Sequence, residues 1–86
     1  MPEISRFYGV RVTMNYNDHL PPHFHASYAG EEAQIEIATG CVLEGALPGR
    51  AAQMVMEWTE LHRAELMENW NLRIEEKPLH KIEPLP

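Results

Sequence analysis

The chain reads as an α+β fold: an antiparallel meander of three to four strands, packed by one long C-terminal helix and followed by an extended tail. Three observations predict it. Residues 4–16, 23–28 and 33–37 alternate apolar and polar side chains with the period of two that half-buried strands require. Clusters of turn residues separate those runs. From Arg50 to about Lys77 there is no proline or glycine, and alanine, methionine, glutamate, leucine and arginine abound, a composition that favours helix. With 86 residues the chain has room for one core, so 1–86 is read as a single domain.

In the first run Tyr8, Val10, Val12, Met14 and Tyr16 share one side, and Gly9, Arg11, Thr13 and Asn15 the other. Asn17 to Pro22 is turn chemistry. Phe24, Ala26 and Tyr28 then alternate with His23, His25 and Ser27, which places the two histidines on the face expected to meet solvent. Ala29 to Glu32 reads as a hairpin connection. Ala33, Ile35 and Ile37 form the next strand, Thr39-Gly40 another turn, and Cys41 to Glu44 a short fourth strand. Sequential strands are taken as neighbours.

Pro48 suits a helix start, and Lys77-Pro78 ends the helix. Its apolar stripe shifts along the way. Ala51, Met54, Val55, Trp58 and Leu61 occupy one narrow face at about 100° per residue. Extended, that face meets His62, Glu65 and Asn69, whereas Leu66, Met67, Trp70 and Ile74 lie more than a quarter turn away. Either the helix bends near His62–Glu65, or its halves bury against different things. On this reading Leu66, Met67, Trp70 and Ile74 belong to a partner or subunit interface, because the proline-rich tail with Leu79, Ile82 and Leu85 offers little cover.

Composition narrows the function. Thirteen acids against seven bases give a formal charge of −6, which argues against nucleic acid as the main ligand, since phosphate binding is dominated by Lys and Arg. Arg6 and Arg11 make only a weak basic patch. Cys41 is the sole cysteine, so neither an internal disulfide nor a multi-thiolate zinc site is available, and a reducing cytoplasm fits. No signal-peptide pattern and no run of roughly 20 apolar residues is present, so a cytoplasmic location without membrane attachment is expected.

The richest chemistry lies in Asp18-His19-Leu20-Pro21-Pro22-His23-Phe24-His25-Ala26, which holds three of the five histidines. Imidazole serves both metal binding and proton transfer near neutral pH. His19, His23, His25 and one carboxylate, with Glu36 on the neighbouring strand or Asp18 folding back over the prolines, would satisfy a three-ligand zinc or non-haem iron site. The competing readings are polar residues on a solvated sheet face and metal-free acid–base work. His62 is expected to be a hydrogen-bonded core residue, and His80 to be solvated. Glu57, Glu60, Glu65 and Glu68 with Arg63 and Arg73 read as a solvated helix face. Trp58 and Trp70 read as core and interface anchors.

The opening Met-Pro-Glu-Ile-Ser-Arg-Phe-Tyr-Gly, the run from Tyr16 to His19 and on through Pro21-Pro22-His23-Phe24-His25-Ala26, Leu43-Glu44-Gly45, Trp58 to Arg63 and Lys81 to Leu85 together resemble the bacterial domain-of-unknown-function family 4160. That resemblance assigns no catalytic residue. It implies a gene set beside a second small protein, in an arrangement that looks like a two-gene toxin–antitoxin module. The expectation is therefore a small cytoplasmic protein acting through a protein partner, the neighbouring gene product or a second copy. The alternative is a metal-dependent hydrolase or nuclease that uses the His19/His23/His25 cluster with zinc or iron. A transcription regulator is disfavoured by the charge.

Overall fold

The computed structural model of the protein describes residues 2–86. Five strands and one helix follow in order: β1 (Glu3–Phe7), β2 (Val10–Thr13), β3 (His23–Tyr28), β4 (Glu31–Glu36), β5 (Val42–Gly45) and α1 (Gly49–Ile74). The strands form one antiparallel sheet in the order β1-β2-β3-β4-β5. The α+β meander stands, with five strands in place of the expected three to four. The additional strand comes from the first alternating run, which is a hairpin. Phe7 pairs with Val10 across a two-residue turn, Tyr8-Gly9, with φ of 47° and 84°. Two positive φ values in succession are the turn geometry that matches strand twist, and they favour Asn, Asp or Gly. Tyrosine at the first position hides the signal, so the turn reads as one more alternating pair. Ala29-Gly30 repeats the same turn between β3 and β4, with φ of 50° and 85°.

The core lies between the sheet and α1. Ile4, Phe7, Val10, Val12, Met14, Phe24, Ala26, Ala33, Ile35 and Ile37 are buried with Ala51, Val55, Trp58, Leu66, Trp70 and Ile82. Trp58 is its centre, with its ring centroid 5.4 Å from that of Phe7 and 5.7 Å from that of Phe24. The helix does bend where the apolar stripe slips: His62 has φ −123° and ψ 23° inside α1, and its Nδ1–H donates to Glu65 Oε1 at 2.6 Å. Arg63 Nε–H donates to the carbonyl of Ile37 at 2.8 Å and ties the bend to the end of β4.

The buried stripe of α1 differs from the apolar one. Ala51, Val55, Trp58, Thr59, Leu66, Asn69, Trp70 and Arg73 are buried. At about 100° per residue these positions fall within roughly a third of the circumference. Leu61, expected in the stripe, is 62% exposed. Arg73, expected on the solvated face, is buried with its guanidinium 3.5 Å from the centre of the Trp70 ring. Polar side chains keep their places on the buried stripe because each has a backbone partner: Thr59 donates to the carbonyl of Val55, Arg73 to that of Tyr16, and Asn69 to that of His80.

The tail after α1 supplies the cover that the interface reading took to be missing. Asn69 holds both backbone groups of His80, donating to its carbonyl at 2.9 Å and accepting from its N–H at 2.8 Å. The N–H of Ile82 donates to the carbonyl of Ile4, and Trp58 Nε1–H donates to the carbonyl of Glu83. The tail thus threads between α1 and the outer edge of β1. Of the four residues expected at an interface, Leu66 and Trp70 are buried within the chain itself, Met67 is half-buried against the core, and Ile74 stays open, at 62% exposure. Among the described residues no helix is long and apolar enough to cross a membrane.

Candidate metal centre

β3 carries two histidines on one face. His25 sits opposite Thr13 of β2 and Gln34 of β4, and His23 opposite Glu36. They point away from Phe24 and Ala26, as strand periodicity requires. That face is not solvated here, however: His23 and His25 are 5% and 7% exposed. The segment between β2 and β3 folds back over them. Arg73 Nη1–H donates to the carbonyl of Tyr16, and the Tyr16 hydroxyl donates to the carbonyl of Lys77, so the second half of α1 anchors the segment from behind. Asp18 Oδ2 accepts the backbone N–H of Asn15 at 3.3 Å, which closes a local turn.

The fold-back sets three donor atoms together. Asp18 Oδ2 lies 3.1 Å from His25 Nε2 and 3.5 Å from His23 Nε2. One ligand atom from each of Asp18, His23 and His25 falls within 4.8 Å of the others. Zinc–nitrogen and zinc–oxygen bonds of about 2.0–2.1 Å put tetrahedral ligand atoms about 3.3–3.4 Å apart. The two Asp18–histidine separations bracket that value. His23 Nδ1 is 2.8 Å from the carbonyl of Pro21, which can only accept, so Nδ1 carries the proton and Nε2 of the neutral ring presents a lone pair. The His23 ring is held edge-on to His25 at 5.3 Å and lies 5.6 Å from the Trp70 ring.

The expected set is therefore only partly assembled. His23 and His25 converge, and the carboxylate that joins them is Asp18. His19 is exposed and lies outside the ligand group. Glu36, although in register with His23, turns to its own turn and accepts from Thr39 Oγ1 at 2.7 Å. A surface cleft of about 320 Å³ adjoins the centre and is lined by Asp18, His23, His19, Leu20, Leu43 and Glu44 among others. Of the other singled-out groups, His62 is partly buried with its Glu65 bond, His80 and Cys41 are exposed, and Arg6 and Arg11 both ion-pair with Glu3. Those two arginines hold the Glu3 carboxyl down to about 2. Sequence reasoning missed the supporting roles of Asn15 and Arg73, which depend on the fold-back, and those of Glu32 and Trp70, which depend on the β3–β4 register and on how α1 packs against β3; the only local signal for the fold-back was the stiff Pro21-Pro22 step.

The family model described as Domain of unknown function (DUF4160) matches residues 9–71, a span that contains every residue of this centre. No curated protein and no solved structure matches the chain.

Proposed function

This chain belongs to DUF4160, a domain family of unknown function, and we propose that within it Asp18, His23 and His25 hold one divalent transition metal, zinc or iron, in a metal-dependent hydrolytic site. The convergence of two buried imidazole nitrogens on one carboxylate oxygen, with all three atoms within 4.8 Å of one another, carries this reading. Three protein ligands suit a catalytic metal, which keeps a coordination position for water and, when bound, lowers that water's pKa toward neutrality. The chain's own residues orient the ligands: Pro21 and Trp70 fix the His23 ring, and Arg73 holds the covering segment. A substrate would approach through the cleft between Leu20 and Leu43, with His19 at hand for proton transfer.

Untagged protein titrated with zinc in a calorimeter should bind one equivalent, and Asp18→Asn or a His23→Ala, His25→Ala pair should abolish that binding. Equal weak binding by wild type and variants would leave the cluster as a hydrogen-bonded loop anchor.

A second reading has its own support. The outer edge of β1 receives the tail, whereas β5 is exposed over its whole length, with Val42 and Leu43 open to solvent. Such an edge accepts an added strand. On this reading the chain is a cytoplasmic component of a two-gene toxin–antitoxin-like module and pairs with the small protein encoded beside it. Co-expression should recover the pair, and Leu43→Lys should separate it without changing far-UV circular dichroism. Wild-type protein that neither co-purifies nor self-associates would remove this reading.

A further inference from the structure

We infer that Glu32 is a positioning residue for the metal centre, acting on His25 through the ring nitrogen that faces away from the metal; this rests on the metal reading above. The observation behind it is an orphan. His25 Nδ1 is buried and, among the described residues, has no hydrogen-bond partner. The His25 side chain is 9% exposed, so water is not an easy substitute. A buried ring nitrogen without a partner is costly. Glu32 Oε1 lies 3.3 Å from it, at ion-pair distance but outside hydrogen-bond alignment.

Metal on His25 Nε2 forces the remaining ring proton onto Nδ1, which then needs an acceptor. Histidine ligands almost always meet this need with a carboxylate or carbonyl, which also fixes the ring and raises its basicity. His23 already has such an acceptor in the carbonyl of Pro21. Glu32 is the corresponding group for His25. It stands diagonally across the β3–β4 ladder, two residues before the His25 partner Gln34 and on the same face.

The position of Glu32 is itself constrained. Its carbonyl accepts from the N–H of Ala46 at 3.3 Å, and a Cβ at Gly45 would lie 2.2 Å from that same oxygen. Only glycine permits this approach, so the far end of β5, where Gly45 pairs with Ala33, fixes the backbone from which Glu32 reaches His25. The Glu32 side chain is 58% exposed while the His25 side chain stays buried, as expected of a group that orients a ligand without occupying the centre.

The test is cobalt(II) titration read from its visible bands, with zinc competing against a chromophoric chelator, on wild type, Glu32→Ala, Glu32→Gln and the neighbouring Glu31→Ala. Glu32→Ala should weaken metal binding about 10–100-fold. Glu32→Gln, which keeps an acceptor oxygen, should lose less, and Glu31→Ala should match wild type. In the zinc-loaded proteins the His25 Nδ1–H resonance should be protected in wild type and lost in Glu32→Ala, while that of His23 persists in both. Thermal midpoints without metal should be alike, which separates positioning from folding. Wild-type affinity and a protected His25 proton in Glu32→Ala would overturn the role of Glu32 while leaving the metal centre standing. Failure of wild type to bind either metal would overturn both.

Discussion

Asn69 illustrates how a single side chain completes this fold. It is fully buried, yet both ends of its amide are bonded to the backbone of His80. Asn69→Ala leaves those two backbone groups unpaired, at a net cost of about 1–3 kcal/mol. Urea unfolding should show that loss, and the amides of His80 and Ile82 should exchange faster than in wild type. Glu3 is a contrasting case, because it works at the surface. Hydrogen bonds from Arg6 and Arg11 lower its folded pKa from 4.5 to about 2. A carboxyl depressed on folding contributes stability above its unfolded value, and that contribution is lost as pH falls from about 4.5 to about 2. The thermal midpoints of wild type and Glu3→Gln should therefore differ at neutral pH and converge across that window. The difference should be small and should shrink in salt, since the pairs are exposed.

At the scale of elements, the turns and corners set register. Gly30 and Gly45 both have positive φ, at 85° and 78°, but their surroundings differ. A Cβ at Gly30 meets nothing within 4 Å, whereas at Gly45 it would lie 2.2 Å from the Glu32 carbonyl oxygen. Gly30→Ala should cost only the left-handed backbone strain, about 1–2 kcal/mol. Gly45→Ala adds a backbone clash at the corner and should cost more, with the extra loss accompanied by faster amide exchange in β5. Equal losses for the two variants would mean that the corner relaxes freely. The helix bend belongs to the same scale. Slippage of the apolar stripe at His62–Glu65 located it from sequence, but not which residues beyond it would be buried. A hydrophobicity pattern scores Asn69 and Arg73 as exposed because it cannot see that backbone acceptors in the tail and the β2–β3 segment will meet them.

For the molecule as a whole, the tail is the last piece of the core. Ile82 is buried, Trp58 donates to the carbonyl of Glu83, and Leu79 and Leu85 pack against the same cluster. Burying one isoleucine contributes about 1.5–3 kcal/mol, and the lost hydrogen bonds add to that. Ending the chain after Pro78 should therefore lower the urea midpoint strongly and shift tryptophan emission to the red as Trp58 and Trp70 meet water. A truncated protein with wild-type stability and unshifted emission would show that the tail only rests on the surface. Trp70 is 2% exposed within the chain itself, with the Arg73 guanidinium over its ring and the His23 ring beside it.

Strands β3 to β5, the helix and the placing of His23 and His25 on one face were determined by the sequence itself, because each follows from a local period or a local composition, and the slipped stripe left a bend as one of two readings. The tertiary structure decided the rest. Tyr8-Gly9 became a turn because Phe7 and Val10 pair, although tyrosine is a poor turn signal. The histidine face became buried because Tyr16 is held by Arg73, 57 residues away, and brings Asp18 over it. Asp18 rather than His19 or Glu36 joined the histidines for the same reason. A period of two states which way a side chain points. Whether it meets water, another chain or a metal depends on what folds across that face, and that is settled by contacts between segments far apart in the chain.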